Sequence, residues 1–133
     1  MDRLGVEPGS DAEGRRAAAA QAAARWGQVV LLKGAGTVVA SPGGALTEAS
    51  FVVPALASAG TGDVLAGTIT GLLAQDLTPE TAAMLGVFVH GRAGEAVRRR
   101  LGDSGLQASD LLRAIPRTFK RLREPRRHGA VSR

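Results

Sequence analysis

Glycines recur inside stretches whose spacing predicts helix: Gly67 and Gly71, then Gly86, Gly91 and Gly94. Each costs an isolated helix about 1 kcal/mol relative to alanine. Such a cost is tolerated where a neighbouring backbone must approach closely. The chain is also 3% aromatic while 44% hydrophobic. Its core must therefore be built from Ala, Val, Leu and Gly, in tight helix-on-sheet layers rather than around bulky rings. At 133 residues it can support one domain with a real core.

The pattern along the chain gives the order of elements. Residues 11–26 are alanine-rich and predict a helix, with Ser10 or Asp11 as N-cap and Gly27 as its stop. Trp26 at its end is expected to anchor the core. Gln28–Lys33 is a short apolar run, the mark of a buried strand. Thr37–Ala40 predicts a second strand and Ala45–Thr47 a short return across the Ser41–Gly44 turn. Glu48–Ser58 is expected to be loop. Gly62–Gln75 predicts a helix with Leu65, Ile69, Leu72 and Leu73 on one apolar face. Thr78 and Pro79 open a long helix that ends near Leu101. Ser109 is expected to cap a last helix from Asp110 to about Leu122, bent at Pro116.

Charge and composition narrow the function. The formal net charge is +5, but residues 113–133 hold eight basic groups and one acid, Glu124. The preceding part holds nine basic and eleven acidic groups. The excess belongs to the C-terminal part, where Phe119 is the only aromatic, so no base-stacking platform accompanies it. Nucleic acid is not the expected partner. With no Cys and only His90 and His128, disulfides and thiolate metal sites are excluded and a His-rich one is not expected. His90, in mid-helix, is expected to be a packed structural histidine. No leader pattern or membrane-length apolar run is visible, so a cytoplasmic location is expected.

Two segments carry chemistry. Ala57–Gly67 reads Ala-Ser-Ala-Gly-Thr-Gly-Asp-Val-Leu-Ala-Gly. It sets glycines and a carboxylate at a helix start, where free N–H groups and the positive helix end favour an anion. Asp63 would repel that anion unless it serves as a base beside a phosphoryl group. The plainer alternative is a favourable acid in a first helical turn. Lys33-Gly34-Ala35-Gly36-Thr37 ends the first strand. It suits a nucleotide contact, or else a plain strand end and tight hairpin. It is not a Walker A loop.

In order and spacing, "LLKGAGTVVASPGG", "PALASAGTGDVLAGTITGLLAQDLTPETAAMLGVFVHGRAG" and "GLQASDLLRAIP" resemble the ATP/ADP-dependent NAD(P)H-hydrate dehydratases of the ribokinase-like superfamily. The most specific part is the combination of Lys-Gly-Ala-Gly-Thr, the Gly-Thr-Gly-Asp turn and His-Gly-x-Ala-Gly. The resemblance implies an α/β fold: the C-terminal portion of a ribokinase-like, Rossmann-like layered domain, helix-rich with a short β-hairpin. Residues 1–122 would form this partial domain and residues 123–133 a disordered basic tail. The family's early strands and much of its substrate pocket would precede the chain, with Met1-Asp2-Arg3-Leu4 matching the end of that part.

The family restores hydrated NADH and NADPH by phosphorylating the ring hydroxyl and expelling phosphate. Lys33, Gly34, Ala35, Gly36, Thr37 and Gly62 would contact the nucleotide, ADP or ATP with Mg²⁺. The amides of Gly60, Thr61, Gly62 and Asp63 would form an anion hole. Asp63 would be the catalytic base beside the substrate, hydrated NADH or NADPH. Val53 stands where the family has Asn, which removes a side-chain hydrogen bond from the loop before the turn. The same turn would equally serve a small-molecule kinase of the superfamily, for a vitamin precursor or sugar, or an inactive nucleotide-binding fragment. A sheet without its early strands exposes an apolar edge, so the chain is expected to be poorly soluble or to self-associate as a homo-oligomer. Sedimentation across a concentration series should show this as a rising average mass, and a monomer with a concentration-independent melt would refute it.

Overall fold

A computed structural model describes residues 11–124. Helix α1 (Ala12–Trp26) leads into three strands, β1 (Val30–Leu32), β2 (Val38–Ala40) and β3 (Leu46–Glu48). A 3₁₀ turn at Pro54–Ala57 precedes α2 (Thr61–Leu73), α3 (Pro79–Leu101) and α4 (Ala108–Arg123). The expected Ser10 cap, the Met1–Leu4 match and the tail beyond Glu124 lie outside the described residues.

The helix ends follow from local chemistry. The Asp11 carboxylate caps α1 by accepting from the Gly14 N–H at 2.7 Å. Gly27 stops it in the left-handed region at φ +61°, its N–H returning to the Ala23 carbonyl. Thr78 caps α3, and Pro79 occupies the first position, where no N–H is needed. The last helix differs from expectation. Its N-cap is Gln107 rather than Ser109, because Asp110 reaches back to the Gln107 N–H at 2.9 Å and completes a capping box. Thr61 rather than Gly62 begins α2. The α4 helix runs on through Pro116.

The strands form one meander, β1-β2-β3, with both pairings antiparallel. The β2–β3 pair is the expected short hairpin, and β1 adds to it as a third antiparallel strand. Their strand connections are tight turns, and a parallel crossover needs a dozen or more residues. Alternation divides the sheet. Val38 and Ala40 face α1, where Ala19 and Ala23 pack on them. Val39 faces the other way, onto Leu65 of α2 and Ala83 and Val87 of α3. The sheet is thus the middle layer between α1 and the α2–α3 pair. A third cluster, around Leu111, Ala93 and Val97, joins α4 to α3.

Small residues make these approaches possible, but not at every glycine. A Cβ on Gly91 would collide with the Phe51 ring, and one on Gly94 would meet the Leu56 side chain at 2.8 Å. A Cβ on Gly86 would lie 2.5 Å from Ile69 Cγ1. Around Gly67 and Gly71 nothing lies within 4 Å, so the expected backbone contact is not made there among the described residues. Leu73, expected on the apolar face, is 41% exposed, because only Leu65 and Leu72 of that set point fully into the layer. Trp26 is 38% exposed and anchors no core, since α1 meets the sheet through its alanines.

The two classes of glycine respond oppositely to the same change. Gly91→Ala should lower stability by about 1–3 kcal/mol through overpacking against Phe51. Gly71→Ala should raise it by up to about 1 kcal/mol through helix propensity alone. Denaturant melts of both variants against the parent chain test the pair, and a stabilising Gly91→Ala would contradict the packing.

Candidate functional site

The Lys33–Thr37 segment leaves the end of β1 and turns into β2. Its turn is tied by the Thr37 hydroxyl, which donates to the Gly34 carbonyl at 3.2 Å. Arg15 of α1 donates to the carbonyls of Leu32 and Lys33 at 3.3 and 3.2 Å and so holds the strand end in place. Gly36 sits at φ +68° with the Glu48 carboxylate against its open side, and Glu48 also pairs with Arg16 at 2.8 Å. Lys33, Gly34, Ala35 and Thr37 line a cavity of about 200 Å³. Gly36 faces Glu48 instead. Phe51, Leu56 and His90 are among the residues that form the rest of its wall, and Gly62 is not one of them. This volume is below the roughly 300–1,000 Å³ of most ligand clefts, so the cavity can hold part of a nucleotide and not all of it.

The second segment arrives through the 3₁₀ turn. Pro54 starts it, and Val53 caps it without a side-chain hydrogen bond. Gly60 then takes φ +81°, a conformation that favours glycine, and delivers the chain to the first turn of α2. The N–H groups of this turn are unequally used. Thr61 N–H donates to Ser58 at 3.4 Å and Asp63 N–H to Gly60 at 3.1 Å. Those of Gly60 and Gly62 have no acceptor among the described residues. Asp63 lies exposed in the first turn of α2, outside the cavity wall.

Lys33 joins the two segments. Its Nζ donates to the Leu56 carbonyl at 3.0 Å, and its Cδ lies 3.7 Å from where a Cβ of Gly62 would stand. Thr61, wholly buried, directs its hydroxyl at the same Leu56 carbonyl, 2.7 Å away, and at the Ser58 carbonyl, 2.8 Å away. His90 reaches Thr61 from α3. It is 3% exposed, and its Nε2 stands 2.8 Å from the Thr61 carbonyl oxygen. Burial holds the imidazole below its ordinary pKa of 6.5, the Thr61 carbonyl opposes that shift, and the Lys33 charge adds to it. Residue spacing identified His90 as packed. Its bond to the glycine turn lay outside what spacing can show, because the partner is a backbone atom on another helix.

The C-terminal basic excess lies elsewhere, with Arg113, Arg117 and Arg121 of α4 lining a groove beside Arg100 of α3. No aromatic ring lines it. Among the described residues no cluster of three or more metal-ligating side chains occurs, and no helix is long and apolar enough to cross a membrane.

Comparison with known proteins places this geometry. The family model described as NAD(P)H-hydrate dehydratase matches residues 1–117. A bifunctional NAD(P)H-hydrate repair enzyme, Nnr, from Moorella thermoacetica is 42% identical over 121 residues, covering 91% of this chain and 23% of that protein. An ADP-dependent (S)-NAD(P)H-hydrate dehydratase from Xanthomonas campestris is 43% identical over 94 residues, covering 71% of this chain and 32% of its own length. Among solved structures, the ADP/ATP-dependent NAD(P)H-hydrate dehydratase of Bacillus subtilis, co-crystallised with ATP and Mg²⁺ and soaked with CoA, superposes with a TM-score of 0.77 at 35% identity. That superposition covers 82% of this chain and 40% of the other. The chain therefore spans a third or less of these two curated relatives and two fifths of that neighbour. With its three-strand sheet, its glycine turn and a family match over nearly all its residues, the chain belongs to the NAD(P)H-hydrate dehydratase family.

Proposed function

We propose that this chain supplies the nucleotide-phosphate half of an active site that dehydrates hydrated NADH and NADPH at the expense of ADP or ATP. One observation carries the proposal: the fold brings the Lys33 side chain to within van der Waals distance of the Gly62 position. A strand-end ammonium and a helix-start glycine turn then address one anion. Gly60 and Gly62 have N–H groups to spare, and the positive end of α2 adds roughly half an elementary charge.

In this proposal Lys33 to Thr37 and Gly62 hold the nucleotide, and the Gly60–Asp63 turn holds the phosphoryl group to be transferred. Asp63 removes the proton from the substrate hydroxyl. That oxygen forms a bond to phosphorus as the bond from phosphorus to the nucleotide's bridging oxygen breaks. Phosphate then leaves with the C–O electron pair, the ring loses a proton and the double bond is restored. General base catalysis of this kind contributes about 10²- to 10⁴-fold.

The residues present also fit a phosphate-borne Mg²⁺. Mg²⁺ keeps several waters and is held by substrate phosphates plus one or two carboxylates. Asp63, the one carboxylate of the turn, is exposed and serves as the base, so the ion would be carried by the nucleotide phosphates and water. When bound with the nucleotide, the ion would neutralise phosphate charge.

The direct test mixes the chain with hydrated NADH, Mg²⁺ and either ADP or ATP and follows the return of NADH absorbance. Asp63→Asn should lower that rate at least about 100-fold with little change in nucleotide affinity. Lys33→Ala should weaken nucleotide binding by about tenfold or more, the loss of a hydrogen bond to a charged group. Stable phosphorylation of a vitamin precursor or sugar would point to a kinase instead. Nucleotide binding without turnover would show that the chain holds only part of the site.

A further inference from the structure

The His90-Gly91-Arg92-Ala93-Gly94 stretch of α3 supplies none of the groups assigned to the chemistry, yet three of its residues meet the segment that carries the anion turn. His90 bonds the Thr61 carbonyl at 2.8 Å. Gly91 leaves room for the Phe51 ring, and Gly94 leaves room for the Leu56 side chain. Leu56 in turn offers its carbonyl to Lys33 at 3.0 Å and to the Thr61 hydroxyl at 2.7 Å. We propose that this stretch is the seat of the phosphate-binding turn, with His90 as its positioning residue: His90 holds the Thr61 carbonyl and thereby sets the direction of the Gly60 and Gly62 amides. The proposal rests on the anion-binding role of the turn.

The chemistry decides which form of His90 can do this. A carbonyl oxygen only accepts, so Nε2 must carry the proton. The second lone pair of the Thr61 oxygen is what His90 uses, since a helical carbonyl has two and the helix needs one. With Nε2 engaged and the ring 3% exposed, His90 is not placed to take a proton from substrate. Without the imidazole, a lone pair of a wholly buried residue loses its partner. The first turn of α2 would then be free to rotate relative to Lys33. Glycines at 91 and 94 serve the same end by letting Phe51 and Leu56 lie against the α3 backbone. The stretch thus fixes the turn through a hydrogen bond within it and close packing before it.

Long-range proton–nitrogen spectra of the imidazoles read the tautomer directly. The chain has two histidines, so a His128→Gln variant assigns the signals. A neutral His90 protonated on Nε2 is expected, and protonation on Nδ1 would overturn the positioning role. Calorimetry with ADP and with inorganic phosphate supplies the second readout. His90→Leu should weaken both by about tenfold. His90→Gln, whose amide can still donate to Thr61, should bind within about threefold of the parent. If His90→Leu does not fold, His90→Asn carries the comparison, because its shorter amide does not reach the Nε2 position. A folded His90→Leu or His90→Asn with parental ADP affinity would overturn the positioning role alone. Failure of the parent chain to bind either ADP or phosphate would overturn the anion-turn assignment and this proposal with it.

Discussion

Close approach of α3 to the chain between Phe51 and Thr61 is the contact on which the geometry of the candidate site depends. That stretch holds no strand and only one 3₁₀ turn, so it has little regular structure of its own to fix its path. Its path is set instead by the α3 surface. Phe51 and Leu56 lie where two α3 glycines leave room, and the buried Thr61 is tied to His90. The close approach replaces a stretch of strong helix formers with weak ones. The helix survives because its small face buries ten residues, from Ala82 to Val97. Tertiary burial outweighs a propensity loss of about 1 kcal/mol per glycine.

The same device governs the sheet. Three strands of three residues each are too short to persist alone. β1 and β2 persist because alanines of α1 cover one face and α2 and α3 the other, while the exposed β3 is held by its pairing along β2. Val38, Val39 and Ala40 are buried on alternate faces, so β2 is the spine of the layer. Burial of each valine contributes about 1.5–3 kcal/mol. A one-residue slip of β2 would exchange the faces and break both clusters. Register therefore also fixes where β1 ends, and with it where Lys33 starts.

The opposing electrostatics of the glycine turn are kept apart in space. The amides without an acceptor among the described residues belong to Gly60 and Gly62, and Lys33 lies beside Gly62. The Asp63 carboxylate stands in water at the first turn of α2, where the helix end favours a negative charge. An anion and a carboxylate can then be neighbours without sharing donors. Burial of His90 disfavours a positive charge beside the turn it touches.

Local chemistry alone determined much of this protein. The alanine run with Asp11 and Gly27, the Thr78-Pro79 start, the three short strands and the glycine turn are all settled by residues near them in sequence. Gly60 is legible because a single backbone conformation demands it. What local pattern could not supply was the partner of each apolar or polar group. Glycines at 67 and 71 look like those at 91 and 94 in sequence, yet only the latter pair meets a neighbour, because contact is decided by which way the helix face turns. Trp26 has the composition of a core anchor and stands exposed, because the alanines before it already fill the space against the sheet. The meeting of Lys33 with Gly62, and of His90 with Thr61, depended on the register of the sheet and the packing of α3, which only the assembled layers decide.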